Sequence, residues 1–75
     1  MNILLFGQIA EIVGTDHIEI SSVANTEELR SMIQSKYPAL AELKYIIAVD
    51  KEIAKQNTTL NSQNTVALMP PFSGG

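Results

Sequence analysis

Cysteine is absent from this 75-residue chain. That excludes disulfide staples and any metal, redox or nucleophilic chemistry that needs a side-chain thiol. Tryptophan is absent too, and with 2 Tyr and 2 Phe the core must be built from aliphatic side chains. Basic residues are scarce: 5 Lys and Arg against 8 Asp and Glu give a formal net charge of −3. A nucleic-acid partner would need a basic face, so this balance argues against one and suits a partner whose own contact surface is basic. No apolar run approaches the length of a membrane span. Met1-Asn2 lacks the basic start of a secretory leader, and Ile3 to Phe6 is too short for its apolar core. A cytoplasmic protein with no membrane partner is the expectation.

Side chains able to do chemistry are equally thin. His17 is the only histidine and has no cysteine or second histidine with which to share a metal, so it reads as an exposed strand residue, not a ligand or base. The carboxylates are scattered, and Glu27 and Glu28 have a helix start to serve. The serines and threonines lack a partner base, and Gly7 and Gly14 belong to no phosphate-binding motif. No metal site is expected, and the domain is not an enzyme on its own.

What is present is a short, well-punctuated pattern. Ile3-Leu4-Leu5-Phe6, between Asn2 and Gly7, predicts a strand with Ile3 and Leu5 on one face and Asn2, Leu4 and Phe6 on the other. Apolar residues on both faces imply a central strand, or a sheet whose outer face meets a partner. Ile9, Ile12 and Val13, closed by Gly14, predict a short helix. From Asp16 to Ser21 strict alternation predicts a strand, antiparallel to the first, with Ile18 and Ile20 inward. Thr26 is the predicted N-cap of a helix carrying Leu29, Met32 and Ile33 and ended by Pro38. Leu40 and Leu43 then plug the gap between helix and sheet. Tyr45 to Val49 is the next strand, Asp50-Lys51-Glu52 a turn, Ile53-Ala54 a short edge strand, and Thr65 to Met69 the last strand, with Leu60 anchoring the polar stretch between. One long helix covers one face of a mixed sheet, which makes the class α+β, in the β-grasp order, with the first and last strands side by side in the centre.

The last strand leads into Pro70-Pro71-Phe72-Ser73-Gly74-Gly75. Proline fixes φ and pushes its predecessor to extended backbone, while glycine leaves the tip without side chains. The expectation is a domain at residues 1–69 and a flexible tail at 70–75, stiff at its base, bare at its tip and ending in a free carboxylate at Gly75. That is the shape of a probe for a narrow channel in another protein.

Two stretches carry a family resemblance: Leu5-Phe6-Gly7-Gln8-Ile9-Ala10-Glu11-Ile12-Val13-Gly14 and, more specifically, Val66-Ala67-Leu68-Met69-Pro70-Pro71-Phe72-Ser73-Gly74-Gly75. They resemble the small subunit of molybdopterin synthase, the MoaD family of ubiquitin-like sulfur carriers. The resemblance implies that Gly75 is adenylated by an ATP-using activating enzyme of the MoeB type and converted by a sulfur donor to a thiocarboxylate. Gly74 lets the tail thread into the large subunit, MoaE, where the sulfur passes to cyclic pyranopterin monophosphate to build the dithiolene. It also implies no cofactor bound by this chain, a heterotetramer with two copies of each subunit, and docking of both partners through an apolar outer patch. Phe6, Ile53 and Met69 match that patch, with Pro70, Pro71, Phe72 and Ser73 completing the contact. Two departures from the family pattern stand out: Ser62-Gln63-Asn64 where Asp-Gly-Asp is common, and Asp50 where Asn is usual. Both suit turns. The alternatives are a sulfur carrier for thiazole synthesis, which usually lacks the Pro-Pro base, a protein modifier joined to lysine through Gly75, and an interaction domain with an inert end.

Overall fold

The computed structural model describes residues 1–71. Phe72, Ser73, Gly74 and Gly75, the outer part of the expected tail, lie outside the described residues. In chain order the elements are β1 (Asn2–Leu5), α1 (Gly7–Val13), β2 (His17–Glu19), α2 (Thr26–Lys36), a 3-10 turn (Pro38–Glu42), β3 (Ile46–Val49), β4 (Glu52–Ile53) and β5 (Val66–Met69). The strands form a single sheet in the order β2-β1-β5-β3-β4. β1 and β5 run parallel in its centre, and the other neighbours pair antiparallel. This is the mixed-sheet, ubiquitin-like β-grasp arrangement.

The alternation read from the sequence sorts the two faces. Ile3 pairs with Ile18 and Val66, and Leu5 pairs with Leu68, which pairs in turn with Ile47. All six are buried, together with Leu29 and Ile33 of α2 and Leu40 of the 3-10 turn. Each aliphatic side chain removed from water here contributes about 1.5–3 kcal/mol, which is how a domain this small holds together without staples. Arg30 of α2 lies over the Tyr45 ring, 5.1 Å from its centroid, and Leu60 anchors the 54–65 stretch in the core.

Three local readings are corrected. The N-cap of α2 is Asn25, not Thr26: Asn25 is extended and its Oδ1 accepts from Glu28 N at 2.9 Å. Thr26 is instead buried and committed to the 57–59 segment, its Oγ1 donating to Asn57 Oδ1 and accepting from Thr58 N. A tertiary pairing therefore takes the hydroxyl that local pattern assigns to capping. Ile12 turns outward, because so short a helix as α1 buries only Ile9 fully. Glu52 is a strand residue, and the β3–β4 hairpin turns on Asp50 and Lys51 alone, at φ 51° and 71°.

That left-handed pair is unusual for residues with a Cβ. It is held from the start of β5. Asp50 Oδ1 accepts from Thr65 N at 2.8 Å, Asp50 Oδ2 accepts from Asn64 Nδ2 at 2.7 Å, and Asp50 N donates to Thr65 O at 2.8 Å. Asn64 Oδ1 in turn accepts from Asn61 N at 2.8 Å. The two departures from the family pattern are thus bonded to one another, at the end of β5 remote from the tail.

Candidate functional site

The sheet's second face is built from the residues that alternate with the core. A row runs straight across all the strands: His17 opposite Leu4, Leu4 opposite Ala67, Ala67 opposite Ala48, and Ala48 opposite Ile53. One rung further on, Ile46 faces Met69. Phe6 extends the β1–β5 ladder by donating its N–H to Leu68 O at 3.1 Å, and alternation turns its ring onto this same face.

An antiparallel or mixed sheet with one helical layer ordinarily shows water a polar outer face. Here the centre of that face is apolar, and no element of the described residues lies over it. Phe6 is 47% exposed and Ile53 52% exposed. Phe6, Ile46, Ile53, Met69, Pro70 and Pro71 line a shallow hollow of about 400 Å³. A second hollow, of about 370 Å³, adjoins it through Phe6 and Met69 and reaches Leu4, Ala48 and Ala67, with Lys51 at its rim. Sequence reading singled out Phe6, Ile53 and Met69, and the structure places all of them on this surface. Leu4, Ile46, Ala48 and Ala67 complete it; their signal was apolar residues at the alternate strand positions.

The polar rim lies at the β2 edge. His17 Nδ1–H donates to Asp16 Oδ1 at 2.8 Å, both side chains being exposed. That hydrogen bond, and secondarily the imidazole's charge when protonated, holds the Asp16 carboxyl below the usual aspartate range. Among the described residues no group of three or more His, Asp or Glu converges as a metal site would require. No helix among them is long and apolar enough to cross a membrane.

Pro70 and Pro71 leave the end of β5 at the edge of the apolar hollow. Gly74, Gly75, Phe72 and Ser73 follow them in sequence but are outside the described residues. The described part offers an apolar surface and, at Pro70-Pro71, the point at which the chain leaves the sheet.

Fold and surface together define a ubiquitin-like domain whose last strand lies in the middle of the sheet. The chain belongs to the ThiS family, which it matches over residues 3–75. It is 33% identical, over 81 residues, to the molybdopterin synthase sulfur carrier subunit of Caenorhabditis briggsae, covering 100% of this chain and 96% of that one. Among solved structures it is similar to a protein–protein complex of subunits 1 and 2 of the molybdopterin-converting factor from Helicobacter pylori, with a TM-score of 0.71, 25% identity and coverage of 99% and 96%. It shares its fold, at a TM-score of 0.81 and 20% identity, with small archaeal modifier protein 1 of Methanosarcina acetivorans, over 99% of this chain and 94% of that one. The family resemblance carried by residues 5–14 and 66–75 holds along the whole chain.

Proposed function

We propose that this chain is the sulfur carrier subunit of a molybdopterin synthase, and that the reactive group is the Gly75 carboxylate. The observation that carries the reading is the full-length similarity to such subunits, in a chain whose central strand ends beside an uncovered apolar face and hands over to Pro70-Pro71 and a diglycine. A terminal α-carboxylate is ionised at neutral pH and a poor electrophile. Attack of its oxygen on the α-phosphorus of ATP, with loss of pyrophosphate, makes an acyl-adenylate. Sulfide delivered by a donor then attacks the carbonyl carbon and expels AMP, leaving a thiocarboxylate. The sulfur is carried on the backbone, which is how a chain without cysteine can serve.

Within this reading the chain supplies no catalytic side chain and binds no cofactor. ATP belongs to a MoeB-like adenylating enzyme, and the large subunit, MoaE-like, houses transfer to cyclic pyranopterin monophosphate in a cytoplasmic heterotetramer. Phe6, Ile53 and Met69 dock both partners, Pro70 and Pro71 stiffen the tail's base, and Phe72, Ser73 and Gly74 thread behind Gly75. Stiffness at the base lowers the entropy lost on insertion, and glycine at the tip leaves no Cβ to clash.

Deletion of Gly75 tests it. The truncated chain keeps the wild-type melting temperature and forms no dithiolene when combined with the adenylating enzyme, a sulfur donor, the large subunit and precursor. Dithiolene formation at the wild-type rate by the truncated chain would overturn the reading.

A further inference from the structure

At the β1–α1 junction Gly7 has φ +57°, and a Cβ built on it would lie 2.8 Å from Pro70 Cγ and 3.4 Å from Pro70 Cδ. The first distance is shorter than real Cβ contacts allow, so the proline ring sits against the bare backbone of Gly7 in space a side chain would fill. A proline ring is not the free end of a flexible chain: Cγ can move aside only as far as a change of ring pucker allows before the ring and the backbone it closes on must follow. The N–H of the preceding residue, Phe6, donates to Leu68 O in β5, so the two sides of the contact are tied together just beneath it. On its other flank Pro70 borders, with Pro71, a small hollow lined by Gln8, Ile9, Leu43 and Lys44.

We propose that Gly7 is a positioning residue for the tail: by seating the Pro70 ring it fixes the direction in which the chain leaves the sheet towards Gly75. This rests on the sulfur-carrier reading for its consequence, though not for its geometry. A tail aimed before docking needs less reorganisation to reach a partner's active site, and a misdirected one loses rate even where the docking surface is intact.

Gly14 provides the control. It is also left-handed, at φ +93°, but a Cβ there would meet nothing within 4 Å. Gly14→Ala therefore suffers backbone strain without touching Pro70, whereas Gly7→Ala suffers strain and the clash. The experiment compares wild type, Gly14→Ala and Gly7→Ala. Each is assayed for ATP–pyrophosphate exchange with a MoeB-type enzyme, for its melting temperature, and by NMR for contacts and shifts of the residue-70 side chain. The expected result is a nuclear Overhauser contact between Gly7 Hα and the Pro70 ring in wild type and Gly14→Ala. Both alanine variants melt lower than wild type, but Gly7→Ala alone loses at least about tenfold in kcat/KM, mostly in kcat. Equal exchange rates for Gly7→Ala and Gly14→Ala, or Pro70 ring shifts in Gly7→Ala matching those of Gly14→Ala, would overturn the proposal. If wild type itself supports no exchange, the sulfur-carrier reading falls instead; the Gly7–Pro70 contact and its loss in Gly7→Ala then decide the positioning claim, its absence from wild type overturning it.

Discussion

The two faces of the sheet are nearly equal in apolar character and opposite in circumstance. On one, Ile3, Leu5, Ile18, Ile47, Val66 and Leu68 are sealed beneath α2 and the 3-10 turn. On the other, Leu4, Phe6, Ile46, Ala67, Met69 and Ile53 form a continuous surface that nothing in residues 1–71 covers. Burial of the first face explains why the domain folds. The second adds nothing comparable to stability, and a contiguous apolar patch of this kind marks an interaction site. In a protein of so few residues, one face of the sheet thus contributes little to folding, as the proposed docking of partners requires.

Substitutions on the two faces should separate these roles. The largest effect is expected from the inner face: Leu68→Ala, at the centre of the sheet, destabilises by about 2–5 kcal/mol in denaturant melts, with any binding defect following the folded fraction. Next comes Phe6→Asp on the outer face. It changes stability by no more than about 0.5 kcal/mol but removes about 2 kcal/mol or more of binding free energy for both the large subunit and the adenylating enzyme, as calorimetry would record. Unchanged binding to both would show that the face is ordinary surface. Ile53→Ser, on the short edge strand, is expected to cost about 1 kcal/mol of the same binding, since a residue at the rim of a patch is incompletely desolvated.

The smallest effect concerns the polar rim. His17→Ala removes the hydrogen bond that depresses Asp16, so the Asp16 carboxyl midpoint, followed by carbon NMR, rises towards the ordinary aspartate value. A carboxylate with a depressed folded-state pKa contributes stability at pH above its unfolded pKa and loses it as pH falls through the folded one. Because Asp16 and His17 are exposed, that contribution is slight: wild type should be marginally more stable than His17→Ala above the aspartate range, and the two should converge as pH falls through it.

Much of the inner face was legible because strand alternation is a local, period-two signal: Ile3 and Leu5, or Ile18 and Ile20, declare their side without knowledge of neighbours. The outer face was half legible. Leu4 and Phe6 announced that β1 is apolar on both sides, but register alone brings Ala67, Ala48 and Ile53 into one row with Leu4. Long-range pairing also explains the misreadings. Thr26 looked like a cap until the 57–59 segment claimed its hydroxyl, and Asp50 and Lys51 adopt left-handed backbone because residues 64 and 65 bond to Asp50 from the far side of a loop. The Gly7–Pro70 contact spans nearly the whole chain and leaves no mark in either neighbourhood.

Intact mass of the chain bears most directly on the central claim that its closing glycine carries the sulfur. After incubation with ATP, an adenylating enzyme of the MoeB type and a sulfur donor, the account predicts a gain equal to replacing one oxygen by one sulfur. Fragmentation should assign that gain to Gly75, and alkylation of the thiocarboxylate should block further transfer. An unchanged mass under conditions that convert a related carrier, or the same gain in a chain lacking Gly75, would contradict it.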